Sequence, residues 1–410
     1  MHMIAAAIIL AIILSGALGV LLLMRQAAAV RTQSERVPAA LGGQISLEEH
    51  KRAAAYTLAR TRLGIAKTIF DTILTVLWLV FLLGPLYSLV AVFVVPGILR
   101  SVAVVLAFAL AERLLHLPFS VASTFWLETK FGFNRQTPLM FVRDRIKGAA
   151  LSLALGVPLL CALFLLPQLS PSYWWLAAWA GFAALALAMS VIIPAFIAPM
   201  FNKFTPMPEG PLKERIEALL ARCGFESKGL YVMDASRRSS HGNAYFAGFG
   251  RAKRIVFFDT LLQNHAPDEI LSILAHELGH YKLGHIRQRM AEAAVLAFFG
   301  FAILGFAFAD GGFANAFGLP PDPALILIVV SAAMGPALHL LSPLTSHLSR
   351  RAEYQADSFA KAMTGPAPLI SALIRLARDN LSTLTPDALY ARFYYSHPPV
   401  SARIARLKAA

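Results

Sequence analysis

The chain has 410 residues, 57% of them apolar and only 15% charged, with a formal net charge of +14. That balance excludes an ordinary soluble globular protein and makes membrane embedding the first reading. Two cysteines, Cys161 and Cys223, are too few for a disulfide framework or a thiolate metal site.

A helix needs about 20 mostly apolar residues to cross a hydrocarbon core. Seven stretches meet or approach this: Met3 to Met24, Thr68 to Val95, Ser101 to Pro118, Ala149 to Pro167, Tyr173 to Met200, Ala291 to Ala309 and Ala324 to Thr345. Only Pro96 to Arg100 separates the second from the third. The first lacks a basic leading region and exceeds the apolar length of a signal peptide, so it is expected to stay as a transmembrane helix. Of the 37 Lys and Arg, only Arg100 and Arg113 fall outside the segments that alternate spans place on one side, whereas the loop between spans six and seven carries the acids Asp310 and Asp322. Basic loops face the cytoplasm, which predicts an outside amino terminus and a cytoplasmic carboxyl terminus. The charge is thus a topology signal, and no nucleic-acid partner is expected.

The seven spans divide the chain into an amino-terminal membrane region, residues 1–200, and a second part, residues 201–410, that contains spans six and seven. Within the second part, Phe201 to Arg289 reads as a helix around Leu212 to Cys223, strands near Leu230 to Met233, Ala244 to Gly248 and Ile255 to Phe258, and a helix from about Pro267. Ser349 to Ala410 reads as amphipathic helices. Asn243 to Gly248, through Ala244, Tyr245 and Phe246, alternates as an exposed strand does. A peptide can add itself to such an edge through backbone bonds, and Gly248 and Gly250 would allow close approach.

Chemistry concentrates in Leu274-Ala275-His276-Glu277-Leu278-Gly279-His280. Positions i and i+4 of a helix lie one above the other, so His276 and His280 offer two imidazoles to one point. Glu277 lies beside that point, placed to take a proton from an attacking water; this is why the spacing recurs in zinc peptidases. A catalytic zinc takes a third protein ligand, and Arg350-Arg351-Ala352-Glu353-Tyr354-Gln355-Ala356-Asp357 offers two carboxylates, again at i and i+4. One of them could bind metal while the other bonds a ligand imidazole; both could instead pair with Arg350 and Arg351 on a solvated face. Spacing alone does not choose.

These two motifs resemble the type-1 CAAX prenyl proteases, integral-membrane zinc metallopeptidases of the gluzincin kind. Phe131 to Thr137, Pro199 to Pro206, His241 to Phe246 and Tyr395 to Pro399 resemble further blocks of that family in the same order, so the likeness spans nearly the whole chain. The resemblance implies that Glu353 is the third ligand of one Zn²⁺ per chain. It implies that Asp357 supports the site or donates a proton, and that His397 faces the reacting carbonyl. It also implies seven helices around a water-filled chamber, for which Asp71, Glu112, Arg113 and Glu292 are candidate lining residues. Arg403 would either brace the acidic helix or be solvated.

The expected fold is therefore mainly α: a polytopic membrane protein of seven transmembrane helices, with a cytoplasmic-side gluzincin-like zinc peptidase domain carrying a small β-sheet. The expected activity is membrane metalloendopeptidase, CAAX-type, on peptide or membrane-protein substrates, prenylated ones included. A housekeeping protease for misfolded membrane proteins is the alternative, and a metal-containing transporter a lower one. The chain is expected to act as a monomer. The short acidic loop and the absence of a dilysine-type ending suit a bacterial inner membrane, with the zinc site on the cytoplasmic side.

Overall fold

The computed structural model describes residues 3–227, 229–247, 254–310 and 312–409. Among the described residues six helices are long and apolar enough to cross a membrane. Five of them are α1 (Met3–Gln33), α2 (Leu47–Phe93), α4 (Pro138–Leu169), α5 (Trp174–Phe201) and α8 (His285–Asp310); the sixth is α9 (Pro323–Thr364). The stretch expected as the third span forms α3 (Ile98–Leu115), an 18-residue helix that holds Arg100, Glu112 and Arg113. At 1.5 Å per residue α3 rises about 27 Å, just under the hydrocarbon thickness. Its three charged residues keep it out of the six, and helical turns over Leu117–Val121 and Ala122–Glu128 prolong it.

Four charged residues proposed as chamber lining are paired where the structure places them. Asp71 meets His116 Nε2 at 2.9 Å, and Trp78 Nε1 donates to the Glu112 carboxylate. Arg113 donates to Ser152 at 2.9 Å, and Gln288 to Glu292 at 2.9 Å.

The polar segments supply α6 (Pro211–Arg222), α7 (Pro267–Lys282), α10 (Pro366–Asp379), α11 (Ala388–Tyr394) and α12 (Val400–Ala409). They also supply strands β1 (Phe204–Pro206), β2 (Leu230–Met233), β3 (Ala244–Ala247) and β4 (Arg254–Phe258), in the sheet order β1-β2-β4-β3. β2 and β4 run parallel, and β1 and β3 flank them antiparallel, so β3 is an edge. Gly248 and Gly250 lie outside the described residues. β1 has no periodic signal in the sequence: it is three residues long and ends on Pro206, a residue that argues against a strand.

Two large apolar cores result among the described residues, beside two smaller clusters. One joins the membrane helices through residues such as Leu79, Phe164 and Val329; the other, including Phe257, Leu274 and Leu373, fills the peptidase part. α9 belongs to both. Its 42 residues, started by Pro323 and the Asp322 side chain accepting from Ala324 N–H, span about 63 Å, twice what a bilayer needs. The projecting half carries Glu353 and Asp357.

Against that half lies α7, buried along nearly its whole length from Glu269 to Gly279. The contact is made of small residues. A Cβ added at Gly279 would sit 3.0 Å from Ala356 Cα and 3.1 Å from Phe359 Cβ, inside ordinary contact and against backbone that cannot rotate away. Gly279→Ala is therefore expected to spread α7 from α9, lower stability by about 1–3 kcal/mol and reduce metal per chain. Thermal unfolding in detergent with elemental analysis checks this, and wild-type values in both would refute the close-packing argument.

Candidate metal centre and active site

Packing of α7 on α9 brings together side chains 73 or more positions apart in sequence. His276 Nε2 and His280 Nε2 are 3.2 Å apart, Glu353 Oε2 is 3.4 Å from the first and Glu353 Oε1 is 3.3 Å from the second. Among the described residues this is the one group of three His, Cys, Asp or Glu able to hold a metal ion. Glu353 is 2% exposed and its Oε2 has no hydrogen-bond partner, an orphan acceptor that burial makes costly.

The surrounding groups turn the imidazoles so that lone pairs face inward. His276 Nδ1 donates to Asp357 Oδ1 at 2.9 Å. His280 Nδ1 lies 3.0 Å from His285 Nδ1, and His285 Nε2 lies 2.9 Å from Gln355 Oε1. With Gln355 as acceptor, the proton of each bond points outward from His280, so in the neutral tautomers both Nε2 atoms present lone pairs inward. Two imidazole lone pairs and a carboxylate then converge, an arrangement that a cation completes and for which a proton shared between His276 and Glu353 competes. For metal–ligand bonds of about 2.0–2.1 Å, a tetrahedron places its corners about 3.3–3.4 Å apart, so the observed separations fit one such ion.

Asp357 is held in turn by Arg403. The guanidinium donates to both carboxylate oxygens, at 2.9 and 2.6 Å, and both residues are buried. Of the two readings of Arg403, bracing is the one the structure shows. Burial opposes ionisation of Asp357 and Glu353, but hydrogen bonds from His276 and Arg403 to the first, and from His276 and His280 to the second, hold both carboxyls below their usual range. Burial likewise works against charge on His276; its bonds to Asp357 and Glu353 outweigh that and push it up to about 9. Glu277, next to the cluster and half-buried, goes the other way. Desolvation raises its carboxyl, against the pull of the two imidazoles.

Glu277 opens on a cleft of about 440 Å³. Asn243 and Ala244 form one lip, His397 and Arg403 another, and Leu261, Ile273, Leu369 and Leu373 make an apolar wall. His397, 63% exposed at its side chain, points Nε2 to within 3.3 Å of Glu353 Oε1. Tyr245 and Phe246 do not line the cleft: Tyr245 packs edge-on to Phe258, and Phe246 against Phe225. Only their backbone edge remains on the β3 side.

Sequence reasoning missed His285 and Gln355, which stand behind His280. A third histidine five residues downstream is a visible signal. Its direction is not, because the chain reverses at Gly284 (φ +75°) before α8 begins.

Two family models match the chain: "CAAX prenyl protease N-terminal, five membrane helices" over residues 26–203, and "Peptidase family M48" over residues 206–410. A relative named CAAX prenyl protease 1 homolog, from Oryza sativa subsp. japonica, is 39% identical, covering 91% of this chain and 90% of its own length. CAAX prenyl protease 1 of Saccharomyces cerevisiae is 34% identical over 91% and 88%. The crystal structure of S. mikatae Ste24p superposes with a TM-score of 0.94 at 30% identity, over 99% of each chain.

Proposed function

We infer the reaction from one premise: the chain belongs to the type-1 CAAX prenyl protease family. It is a multi-pass integral membrane metalloendopeptidase, which sets the transporter reading aside. We propose that the metal is zinc, one per chain, held by His276, His280 and Glu353. The observation that carries this is the convergence of two imidazole Nε2 atoms 3.2 Å apart on the Glu353 carboxylate, which places one oxygen within 3.4 Å of each. When bound, zinc polarises the scissile carbonyl and lowers the pKa of water toward neutrality.

The protein's own groups do the rest. Glu277 takes the proton of the attacking water and passes it to the leaving amine, a role suited to a carboxyl whose affinity for protons is raised by burial. His397 reaches into the same cleft and offers a hydrogen bond to the oxyanion that forms on the carbonyl oxygen. Asp357 does not line the cleft; clamped by Arg403, it fixes the tautomer and angle of His276. The free edge of β3, from Asn243 through Ala244, Tyr245 and Phe246, holds the substrate backbone as an added strand, which gives grip with little sequence selectivity.

We propose a CAAX-type substrate, a peptide or membrane protein cleaved to release its carboxy-terminal tripeptide, on the names of the relatives. Every ligand and the base come from one chain, which supports action as a monomer. The two family models meet between residues 203 and 206, which supports a division near residue 200. Basic residues cluster on the side of the metal cluster, which supports a cytoplasmic site, and the short acidic connection before α9 supports a bacterial inner membrane. The +14 charge follows that topology, so nucleic acid is no partner.

Chelation of the purified protein in detergent should abolish hydrolysis of a quenched farnesylated CAAX peptide, and stoichiometric Zn²⁺ should restore it. Full activity after verified metal removal would sink the zinc reading. Comparing that peptide with an unfolded membrane substrate separates CAAX cleavage from quality control: preference for the unfolded protein would favour the housekeeping alternative.

A further inference from the structure

Outside the cleft, a concentration of unbalanced positive charge lies on another face of α9. His347, Arg350, Arg351 and Tyr354 of α9, Arg392 of α11 and Arg406 of α12 line a cavity of about 680 Å³. No Asp or Glu lines it, and Asp387, the N-cap residue beside the lining Ala388, is already paired with Arg25 at 2.9 Å.

The cavity is built. Arg350 Nη1 donates to the carbonyls of Ala391 and Tyr395 at 3.1 and 2.8 Å, which pins α11 to α9 and sets the position of Arg392. Arg406 lies 4.5 Å over the ring of Tyr354. Arg351 and Arg392 are exposed toward the cavity mouth. Four guanidinium groups around one space repel one another, and each presents donors in a fork that matches phosphate oxygens.

Its place along α9 says what kind of anion fits. The apolar run that includes this helix's membrane-crossing half ends at Thr345, two residues before His347. Leu340 and Leu344, 64% and 58% exposed, precede His347 and Arg351 at i, i+4, i+7 and i+11, and so share one stripe of the helix. That stripe turns from apolar to cationic at the membrane boundary, the profile of an amphiphile with an anionic head. Basic pockets at such boundaries suit phospholipid headgroups.

We propose that this cavity binds the headgroup of an anionic glycerophospholipid, with Arg351, Arg392 and Arg406 on its phosphate oxygens and its acyl chains along Leu340 and Leu344. The occupant would also touch Gln355 and Pro398-Pro399, the residues next to the His285–His280 pair and to His397. A bound lipid would therefore brace the rear of the metal cluster.

The test is binding, independent of peptidase activity. The full-length protein is exchanged into phosphatidylcholine with or without phosphatidylglycerol, and retained lipid is counted by native mass spectrometry. Wild type should hold one phosphatidylglycerol in preference to phosphatidylcholine. The Arg351→Gln/Arg392→Gln variant should bind it about thirtyfold more weakly, the loss expected for two arginines at a membrane surface. Arg143→Gln/Arg145→Gln, a charge-matched control, should bind as wild type does. Equal retention by the first variant, no preference for phosphatidylglycerol in wild type, or complete displacement by inorganic phosphate at equal concentration would each overturn the proposal; the last outcome would mean a free-anion site. Circular dichroism reports whether the double variant folds. If it does not, Arg406→Gln and the wild-type lipid comparison decide.

Discussion

Glu277→Gln is expected to lower kcat on a quenched CAAX peptide by about 10²–10⁴-fold while leaving zinc content and thermal midpoint unchanged. The amide keeps the shape of the carboxylate, and Glu277 makes no contact that holds α7 to α9; what is lost is the ability to accept a proton. At this half-buried position an uncharged amide also costs less in desolvation than the carboxylate it replaces. Turnover near wild type in a variant of proven metal content would remove Glu277 from the mechanism and leave His397 as the group to examine.

The second large effect is on the metal itself. Glu353→Ala should reduce zinc affinity by more than about 100-fold, beyond the 10–100-fold that loss of an outer partner costs, with activity lost in parallel. Asp357→Asn should fall within the smaller range, because it weakens the acceptor that orients His276 but leaves all three ligand atoms in place. Elemental analysis and competition with a chromophoric chelator give both values. Equal affinities for the two variants would mean that Glu353 does not contact the metal more closely than Asp357 does, contrary to the geometry.

Much of the fold was readable because the bilayer imposes a simple rule. A crossing helix must be long and apolar, and six of the seven expected spans meet that rule among the described residues. The stretch expected as the third does not, because Arg100, Glu112 and Arg113 interrupt it; Glu112 is answered by Trp78 and Arg113 by Ser152 only once the helices assemble. The strands β2 and β4 and the helices α6 and α7 were legible from periodicity, and β1 was not, since three residues carry no period.

The pair His276 and His280, with Glu277 between them, is local: helical geometry alone makes the two imidazoles converge, so the sequence by itself determined half of the candidate metal site and the proposed base. Between Glu353 and Asp357 it could not choose, because both lie on the same face of one helix four residues apart. Tertiary structure made that choice. The approach of α7 to α9 at Gly279 and Ala356 sets Glu353 opposite both Nε2 atoms and drops Asp357 one turn away behind His276, where Arg403 arrives from α12. Distances between helices depend on which small residues meet across the contact, and that pairing is written in no single segment.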